Sequence, residues 1–528
     1  MTTNSNNKVI VICVDGATFS VIDKLVADGY LPTFSELINE GYKATLLSTI
    51  PPVTAPAWAS MVTGKNPGKH NIFGFVNRKG KVVTSRDRRA AAIWNILTYF
   101  GRRSIVVNIP LTYPPEPIHG IMISGMLTMD TPLRKMVYPS ELEDAICRKY
   151  SYPRPSGIKL LVDLTFNPIT AIKSLVEADV KRTYVFTKLL RNYEWDFSII
   201  LLSSTDPAQH VAWNQWETLE RKSIISYVYH KIDQLINNIL EVISNESDET
   251  SVFIVSDHGF GALHRILYIN NLLCSKGLIK LKGNDSLSLT SALTSIFEQT
   301  LSVNIIKELI SALVRSETIK EYVAKELRSK KMREEDLLLI IDAKKSLAYG
   351  RSMGYIYLND TLLGNNIKYN NVRRYIEYIL KSVKDKDKQV IKQIYRKEEI
   401  YWGSFAVQGP DLIVELADGY GIRERLSRLL PIFSSSIQTG EHRREGILIM
   451  WNNNGTIRHH VKKKEAHSIY DIAPTILYLL EIGIPRDIDG NIILSAIKKR
   501  RNIKTIESYD VILRKISRIK NKLKYYKR

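Results

Sequence analysis

Short runs of apolar, mostly β-branched residues alternate with longer amphipathic stretches along the first half of the chain. The apolar runs are Val9–Val14, Ser104–Asn108, Ser198–Leu202 and Val252–Val255, and stretches such as Ile22–Asn39 and Ser223–Ile243 lie between them. This alternation predicts strand–helix–strand units, which build a largely parallel sheet covered by helices on both faces. We therefore expect an α/β fold that binds its ligands beyond the carboxyl ends of the strands.

The pattern changes at about residue 272. Residues 272–344 have helical periodicity, first rich in serine and leucine and then in lysine and glutamate, and predict a mostly helical cap inserted into the fold. Strand-like runs at Tyr355–Leu358 and Asp411–Val414 flank a predicted helix at Val372–Val383. We therefore divide the chain into a core of residues 1–271 and 345–496, the cap of residues 272–344 and a C-terminal tail of residues 497–528. Residues 346–414 of the core are a candidate small α+β subdomain.

Polar residues of one chemical kind follow the predicted strands. Asp15 directly follows the first apolar run, Asp257 and His258 follow the fourth, and Asp206 and His210 lie shortly after the third. Carboxylate and imidazole ligands delivered to one edge of a sheet suit two borderline divalent metals, zinc before manganese. If Asp206 caps a helix, His210 falls one turn further on the same side, and both can reach one metal.

Thr54 and His442 complete this set. Thr54 lies in a proline-rich segment and is predicted to cap a helix that begins near Ala55, where a hydroxyl meets a positive field. Ionised by a metal, such a hydroxyl becomes a nucleophile. His442 lies in a polar segment that we predict to be a loop, and it is the natural third ligand for the His210 metal. Singly, a capping threonine and a structural histidine are the simpler interpretations; together the seven residues favour a bimetallic hydrolase.

The motifs around these residues resemble the type I phosphodiesterase/nucleotide pyrophosphatase branch of the alkaline phosphatase superfamily. Within it, the sequence is similar to the prokaryotic phosphohydrolase/phosphomutase-like group, from about residue 8 to 495. The matching segments are Val14-Asp-Gly16, Thr54-Ala-Pro-Ala-Trp58, Thr63-Gly64, Pro67-Gly-Lys-His70, Ser204-Thr-Asp-Pro-Ala-Gln-His210, Ser256-Asp-His-Gly-Phe-Gly261, Gly440-Glu-His442, Asp471-Ile-Ala-Pro-Thr475 and Asp489-Gly490.

The resemblance implies an alkaline-phosphatase-like three-layer sandwich with a largely parallel central sheet. It also implies a metal-dependent phosphoric ester hydrolase, most similar to phosphodiesterases, that acts through a phospho-threonine on Thr54. The implied ligands of one metal are Asp206, His210 and His442, and those of the other are Asp15, Asp257 and His258, with Thr54 bridging to the second.

The sequence departs from the pattern of these families at the substrate. Nucleotide pyrophosphatases carry a phosphate-binding asparagine where this chain has Phe75, so Asn77 nearby and Arg443 beside His442 are the candidate substrate-binding residues. The segment after Thr54 lacks the motif of sulfatases and the phosphate-binding arginine of alkaline phosphatases. A phosphomutase or phospho-group transferase on the same fold is the alternative within enzymes.

Charge and cysteine usage add expectations about partners and location. The formal net charge is +21, and residues 498–528 contain 13 Lys or Arg against two acids. Their periodicity predicts a basic amphipathic tail that packs on the core, lies on an anionic membrane surface or contacts nucleic acid. A non-catalytic binding protein that uses this tail is the alternative of another class.

Three widely spaced cysteines, without a C-x-x-C pair, favour reduced thiols over disulfides or a thiolate zinc site. No secretion signal is recognisable, and no apolar stretch approaches the roughly 20 residues that span a bilayer. We therefore expect a cytoplasmic protein without a transmembrane segment, with peripheral membrane binding through the tail as an option. The sequence does not indicate an oligomeric state.

Overall fold

The computed structural model of the chain describes residues 7–125, 135–153, 164, 167–244, 248–282, 341–342, 344–426, 431–458, 465–498 and 500–509. Most of the predicted helical cap (272–344) and most of the predicted basic tail (498–528) lie outside these residues. None of the helices in the described part of the chain is long and apolar enough to cross a membrane.

The strands of the described residues are numbered in chain order. They are β1 (Lys8–Val14), β2 (Tyr42–Leu47), β3 (Ser104–Val107), β4 (Gly120–Ile123), β5 (Val137–Tyr138), β6 (Phe197–Leu202), β7 (Thr250–Val255), β8 (Gly259–Tyr268), β9 (Ala348–Arg351), β10 (Tyr355–Leu358), β11 (Lys384–Asp385), β12 (Lys388–Gln389), β13 (Ile391–Arg396), β14 (Leu412–Leu416), β15 (Gly419–Arg423), β16 (Phe433–Ser435), β17 (Gly440–Arg443), β18 (Glu445–Asn452), β19 (Ala466–Ser468), β20 (Ile484–Pro485) and β21 (Thr505–Ile506).

The α-helices are numbered in the same way. They are α1 (Phe19–Ala27), α2 (Pro32–Glu40), α3 (Thr54–Thr63), α4 (Pro67–His70), α5 (Ile93–Tyr99), α6 (Pro168–Asn192), α7 (Thr205–Leu219), α8 (Ile224–Ile243), α9 (Ile269–Ser275), α10 (Asp360–Leu363), α11 (Asn366–Lys381), α12 (Lys397–Ile400) and α13 (Ile472–Leu479). The amphipathic stretch predicted at 22–39 is therefore two helices, α1 and α2, which are separated where Pro32 begins the second.

The central sheet has the strand order β19-β2-β18-β7-β1-β6-β3-β4-β5 within the described residues. The strands β7, β1, β6, β3 and β4 are parallel neighbours, whereas β18 and β5 run antiparallel to the strands beside them. This topology confirms the predicted α/β fold with a mainly parallel sheet. It also brings the carboxyl ends of β1, β6 and β7 to one edge, side by side.

Both faces of the sheet are covered. In strand β1, Ile10 and Ile12 pack into one apolar core with helices α1, α2, α6 and α8, whereas Val9 and Val11 pack into a second core with α3, α5 and α13. Alternation of side chains between two buried faces explains why this strand is apolar at every position from residue 9 to 14. The result is the predicted three-layer sandwich.

Two four-stranded sheets and two two-stranded sheets accompany the central one in the described residues. The antiparallel sheet β13-β14-β10-β9 shares an apolar core with helices α9 and α11. Strand β8 continues the chain directly after β7 and pairs with β15, β16 and β17. The division of the chain into core, cap and subdomain stays a prediction, although the first of these sheets occupies the range assigned to the subdomain.

Candidate metal centre

Six carboxylate and imidazole side chains converge at the carboxyl edge of the central sheet. They form two groups, and within each group one ligand atom per residue lies within 4.8 Å of the others. The groups are Asp206, His210, His442 and Asp15, Asp257, His258. They coincide with the two ligand sets that the resemblance of motifs implied.

The first group joins the start of helix α7 to strand β17. Asp206 Oδ1 lies 3.6 Å from His210 Nε2 and 3.2 Å from His442 Nε2. The two Nε2 atoms are 3.0 Å apart. Their Nδ1 atoms face backbone carbonyls, Gly440 O at 3.0 Å for His210 and Pro52 O at 2.9 Å for His442. These carbonyls orient both rings towards the same point.

A condition stated for this group is not met, and one local prediction is wrong. Helix α7 begins at Thr205, so Asp206 lies in its first turn and does not cap it. His442 lies on strand β17, not in a loop, because residues 440–443 pair with residues 259–262 of β8. A polar segment with glycine looks like a loop locally, but its hydrogen-bonding partner lies some 180 positions earlier in the chain.

The second group is buried beneath the first. Asp15 follows β1, and Asp257 and His258 follow β7; all three are at most 1% exposed. His258 Nε2 lies 3.8 Å from Asp15 Oδ1 and 3.3 Å from Asp257 Oδ2. The other Asp257 oxygen accepts a hydrogen bond from Gly16 N at 3.2 Å. The backbone bends after Asp257, which lets both neighbouring side chains reach the same site.

Thr54 lies where the two groups approach each other. It is the first residue of helix α3, with Val53 rather than Thr54 at the cap, so its hydroxyl does not serve as a helix cap. Thr54 Oγ1 is 3.4 Å from His258 Nε2, and His258 Nε2 is 3.9 Å from Asp206 Oδ1. The hydroxyl therefore sits at the junction of the two ligand groups, at the positive end of a helix.

The donor chemistry of this cluster fits divalent metal ions. Asp15 Oδ1, Asp206 Oδ1 and Asp257 Oδ2 are buried and have no hydrogen-bond partner. Buried carboxylate oxygens without donors are unfavourable, and cations are the usual partners of such oxygens. The Nδ1 atoms of the three histidines each face a backbone carbonyl, which fixes the tautomer that leaves Nε2 as a ligand lone pair.

The protonation properties of the cluster agree with this interpretation. Burial, with Asp206 as a further cause, raises the pKa of Asp257 to about 7, and burial together with Asp257 raises the pKa of Asp15 well above its ordinary value. Burial lowers the pKa of His258 and of His210. Against the effect of burial, His210 and His442 lower the pKa of Asp206, and Asp206 raises the pKa of His442. In the buried group of Asp15, Asp257 and His258, where carboxylate and imidazolium are both disfavoured, a bound cation would stabilise the carboxylates.

A hydrogen-bond network that the sequence did not reveal holds the loop after β1. Thr205 Oγ1 donates to the backbone carbonyl of Asp15, whose side chain is one of the candidate ligands. Four more bonds fix the following residues: Gln209 Nε2 to Gly16 O at 2.9 Å, Tyr229 Oη to Gln209 Oε1 at 3.0 Å, Thr18 N to Tyr229 Oη at 3.1 Å and Ser256 Oγ to Ala17 O at 2.9 Å. Gln209 lies inside one of the matching motifs, but nothing in the sequence singled out Tyr229.

A buried ion pair holds the segment that leads into helix α7. Asp179 of α6 is fully buried, and its Oδ2 accepts hydrogen bonds from Ser203 N and Ser204 N, both at 2.9 Å. Its Oδ1 accepts from Arg182 Nη1 at 2.7 Å. The pair therefore sets the backbone two residues before Asp206.

The predicted substrate-binding residues lie in different surroundings. Asn77 belongs to a tight turn, where its Oδ1 accepts from Lys79 N at 2.9 Å and Lys81 N at 3.1 Å. Arg443 donates to the carbonyls of His442 and Ala262 at 3.0 and 2.7 Å. Phe75 packs partly buried against two small apolar clusters.

His70, which the matching motifs include, is structural. It is fully buried, its Nε2 lies 3.0 Å from Ser60 Oγ, and its Nδ1 accepts from Ile72 N at 3.1 Å. Burial, with Arg88 as a further cause, lowers its pKa to about 3. The ring is therefore neutral at physiological pH.

A cavity of about 680 Å³ opens beside His442. Its lining comes from the segment before helix α3, from β8, and from the β14–β15 and β17–β18 connections, and includes Pro52, Trp213, Phe260 and Tyr420. This volume is typical of sites for small organic ligands. One residue of the candidate ligand cluster, His442, thus lies in the wall of a cavity of substrate size.

Comparison with known proteins identifies a family model that matches this chain. The family model described as type I phosphodiesterase/nucleotide pyrophosphatase matches residues 9–428. A sequence comparison with curated proteins finds no match.

Several solved structures are similar in fold. Phosphonoacetate hydrolase from Sinorhizobium meliloti 1021, in complex with phosphonoacetate, has a TM-score of 0.55 at 14% identity, over 90% of this chain and 96% of that one. Wild-type alkaline phosphatase PafA has 0.54 at 13%, over 94% and 100%. Murine ectonucleotide pyrophosphatase/phosphodiesterase 5, as an inactive variant in complex with AMP, has 0.51 at 11%, over 90% and 95%.

Proposed function

The chain belongs to the type I phosphodiesterase/nucleotide pyrophosphatase family and is a phosphoric ester hydrolase, and on this premise we propose that Thr54 is its nucleophile at a two-metal site. The observation that carries the proposal is the position of Thr54 Oγ1, 3.4 Å from His258 Nε2, where two groups of three ligands meet. Unpartnered carboxylate oxygens in both groups support the same conclusion.

Asp206, His210 and His442 would hold one metal ion, and Asp15, Asp257 and His258 would hold the other. Two bound divalent ions would neutralise the carboxylates, polarise phosphoryl oxygens and lower the pKa of a nearby hydroxyl. The mixture of imidazole nitrogen and carboxylate oxygen favours zinc, with manganese as the alternative.

The chain's own residues account for the remaining requirements. Thr54 attacks phosphorus as its alkoxide, so that a new Oγ1–P bond forms while the ester oxygen leaves with its electron pair. Water then attacks the phosphorus of this intermediate opposite Oγ1, the Oγ1–P bond breaks, and Thr54 is regenerated. The product is a phosphate monoester when the substrate is a diester. Backbone N–H groups at the start of helix α3 face this region and favour phosphoryl oxygens, as helix N-termini generally do.

The test combines metal analysis with substitution of the nucleophile. We expect two divalent ions per chain and hydrolysis of bis-p-nitrophenyl phosphate, tested in a panel with mono- and pyrophosphate esters. Thr54→Ala should lower kcat by at least about 100-fold without releasing metal, and Thr54→Ser should retain most of the activity, because a nucleophilic hydroxyl remains. Acid quenching of the wild-type enzyme should trap phosphate on Thr54.

Two outcomes would contradict the proposal. Unchanged hydrolysis by metal-free protein would contradict the two-metal site. Full activity in Thr54→Ala would contradict the role of Thr54 as the nucleophile. A phosphomutase or transferase would instead pass the phosphoryl group to an added alcohol. Hydrolysis in ¹⁸O-labelled water distinguishes the two, because only transfer to water incorporates one labelled oxygen into the released phosphate monoester.

A further inference from the structure

Four lysine or arginine side chains of the described residues line the cavity beside His442, and three of them form ion pairs. The pairs are Lys392 Nζ with Glu415 at 2.7 Å, Arg423 Nη1 with Glu441 at 2.7 Å and Arg443 Nε with Asp418 at 3.3 Å. The fourth cation, Arg444, differs from these three.

The backbone of Arg444 is held by hydrogen bonds, whereas its guanidinium forms no ion pair with a described residue. Its carbonyl accepts from Ser48 N at 2.9 Å and from Gly446 N at 3.1 Å, which ties it to the central sheet. Its Nε is buried and has no hydrogen-bond partner, and no described residue forms an ion pair with its guanidinium. Arg444 is partly exposed and lines the cavity, so a guanidinium without an ion-pair partner among the described residues can meet an acceptor from a ligand there.

We propose that the substrate carries a second anionic group, a carboxylate or a phosphoryl group, and that Arg444 binds it. The inference rests on the proposed function, since the first anionic group is the phosphate diester that Thr54 attacks. A guanidinium presents a planar pair of donors that matches both kinds of anion. The substrate class is therefore a phosphate ester with an acidic organic moiety.

The dimensions of the site agree with a substrate that has a second anionic group. Arg444 lies at the bend that follows β17, two residues after His442, so the Cα atoms of the two residues are at most about 7 Å apart. An alcohol with two or three carbons between its ester oxygen and its acidic group spans such a distance. The cavity of about 680 Å³ also has room for this moiety.

Five acidic residues also line the cavity, and two of them lie outside these ion pairs. Three of them are neutralised by the ion pairs given above. Of the other two, Glu217 accepts a hydrogen bond from Trp213 Nε1 at 3.2 Å and Glu445 is exposed to solvent. Arg444 is therefore the lining cation whose charge is left for a ligand, whereas the Arg443 guanidinium donates to two backbone carbonyls.

The experiment measures binding of matched ligands to metal-loaded Thr54→Ala protein, which removes turnover. One ligand is the phosphodiester of p-nitrophenol and 3-hydroxypropanoate, and its match is the methyl ester of that carboxylate. In a second pair of ligands the carboxylate is replaced by a terminal phosphate monoester in one member and by a hydroxyl group in the other. The two pairs distinguish a carboxylate from a phosphoryl group as the preferred anion.

We expect the anionic member of at least one pair to bind about 10- to 100-fold tighter than its neutral match, the range for a charge-assisted hydrogen bond. Adding Arg444→Met should reduce this ratio to about 2-fold or less, and Arg444→Lys should retain part of it. The control Lys392→Met removes a paired cation from the same cavity and should leave the ratio nearly unchanged. Metal content and melting temperature verify that each variant is folded.

A ratio near one in both pairs, or a ratio that Arg444→Met does not change, overturns the subsite. Turnover of the methyl ester by enzyme with Thr54 intact is measured separately. Hydrolysis of that ester together with a ratio near one leaves the proposed function standing and removes only the subsite. A high ratio without hydrolysis of any diester would instead retain the subsite and contradict the proposed function.

Discussion

Replacement of Asp179 by asparagine tests how the segment that carries Asp206 is held. The substitution preserves volume and can keep an oxygen facing Ser203 N and Ser204 N. It removes the negative charge, however, and turns an amide N–H₂ group towards Arg182. The side chain of Arg182 is only 8% exposed, so solvent compensates little for the lost partner.

The expected cost follows from that burial. Removing one partner of a buried ion pair typically costs about 3–5 kcal/mol, because the other charge stays buried without compensation. Removing both partners at once lowers the free energy of unfolding much less, because no buried charge is left without its partner. Arg182→Met should therefore destabilise the wild-type protein strongly but be neutral or stabilising in the Asp179→Asn background. This sign reversal distinguishes a true pair from two independent contacts.

Urea unfolding of the wild type, both single variants and the double variant gives the four free energies of unfolding. Equilibrium dialysis with zinc adds a functional measurement, since displacement of the segment before Asp206 should weaken one metal site about 10- to 100-fold. Additive losses from the two substitutions would refute the paired role of Asp179 and Arg182. Normal zinc binding in a destabilised Asp179→Asn protein would refute its role in positioning Asp206.

Three further predictions concern other parts of the site. His70 is neutral when folded, because its pKa is lowered from an ordinary value of 6.5 to about 3, so its stabilising effect is present above pH 6.5 and is lost as the pH falls. The free-energy advantage of the wild type over His70→Gln in urea unfolding should shrink by about 2 kcal/mol between about pH 7.5 and pH 5, and a constant difference would contradict this. Gly440→Ala places a Cβ 2.2 Å from Gln209 O, so it should displace β17 and weaken metal binding in dialysis, unlike Gly74→Ala, whose Cβ meets nothing closer than 3.8 Å. Tyr229→Phe should lower the melting temperature and the metal affinity, because two buried hydrogen bonds are lost, one from Thr18 N in the loop after β1 and one to Gln209 Oε1; unchanged metal affinity would argue against that role.

The parts of the fold that depend on local periodicity were predictable from the sequence. The run Val9–Val14 lies within β1, and the amphipathic stretch at residues 223–243 is α8, because the burial of each residue repeats with the period of its own element. Placing Asp15 and Asp257 at strand ends needed only this information. The carboxyl ends of parallel neighbours then meet without further assumption.

What could not be predicted depends on contacts between distant segments. His442 was expected in a loop, and its strand exists because β8 supplies a hydrogen-bonding edge. Thr54 was expected to cap a helix, but the helix starts with it, and the hydroxyl is left for the site. The carboxylate of Asp179, in the long helix α6, has no local signature that connects it with a segment more than 20 positions later.

The orientation of the histidines shows why such contacts are invisible in a sequence. Each ring is aimed by a backbone carbonyl, from Pro52, Gly259 or Gly440, and every residue type carries a carbonyl. The identity of the orienting residue therefore matters only through the path of its backbone. At Gly259 and Gly440 that path passes so close to another strand or helix that an added Cβ would lie 2.0 and 2.2 Å from a carbonyl oxygen. Glycine at these positions thus permits the close packing that points the Nε2 atoms at one another, and the metal centre depends on these glycines as well as on its ligands.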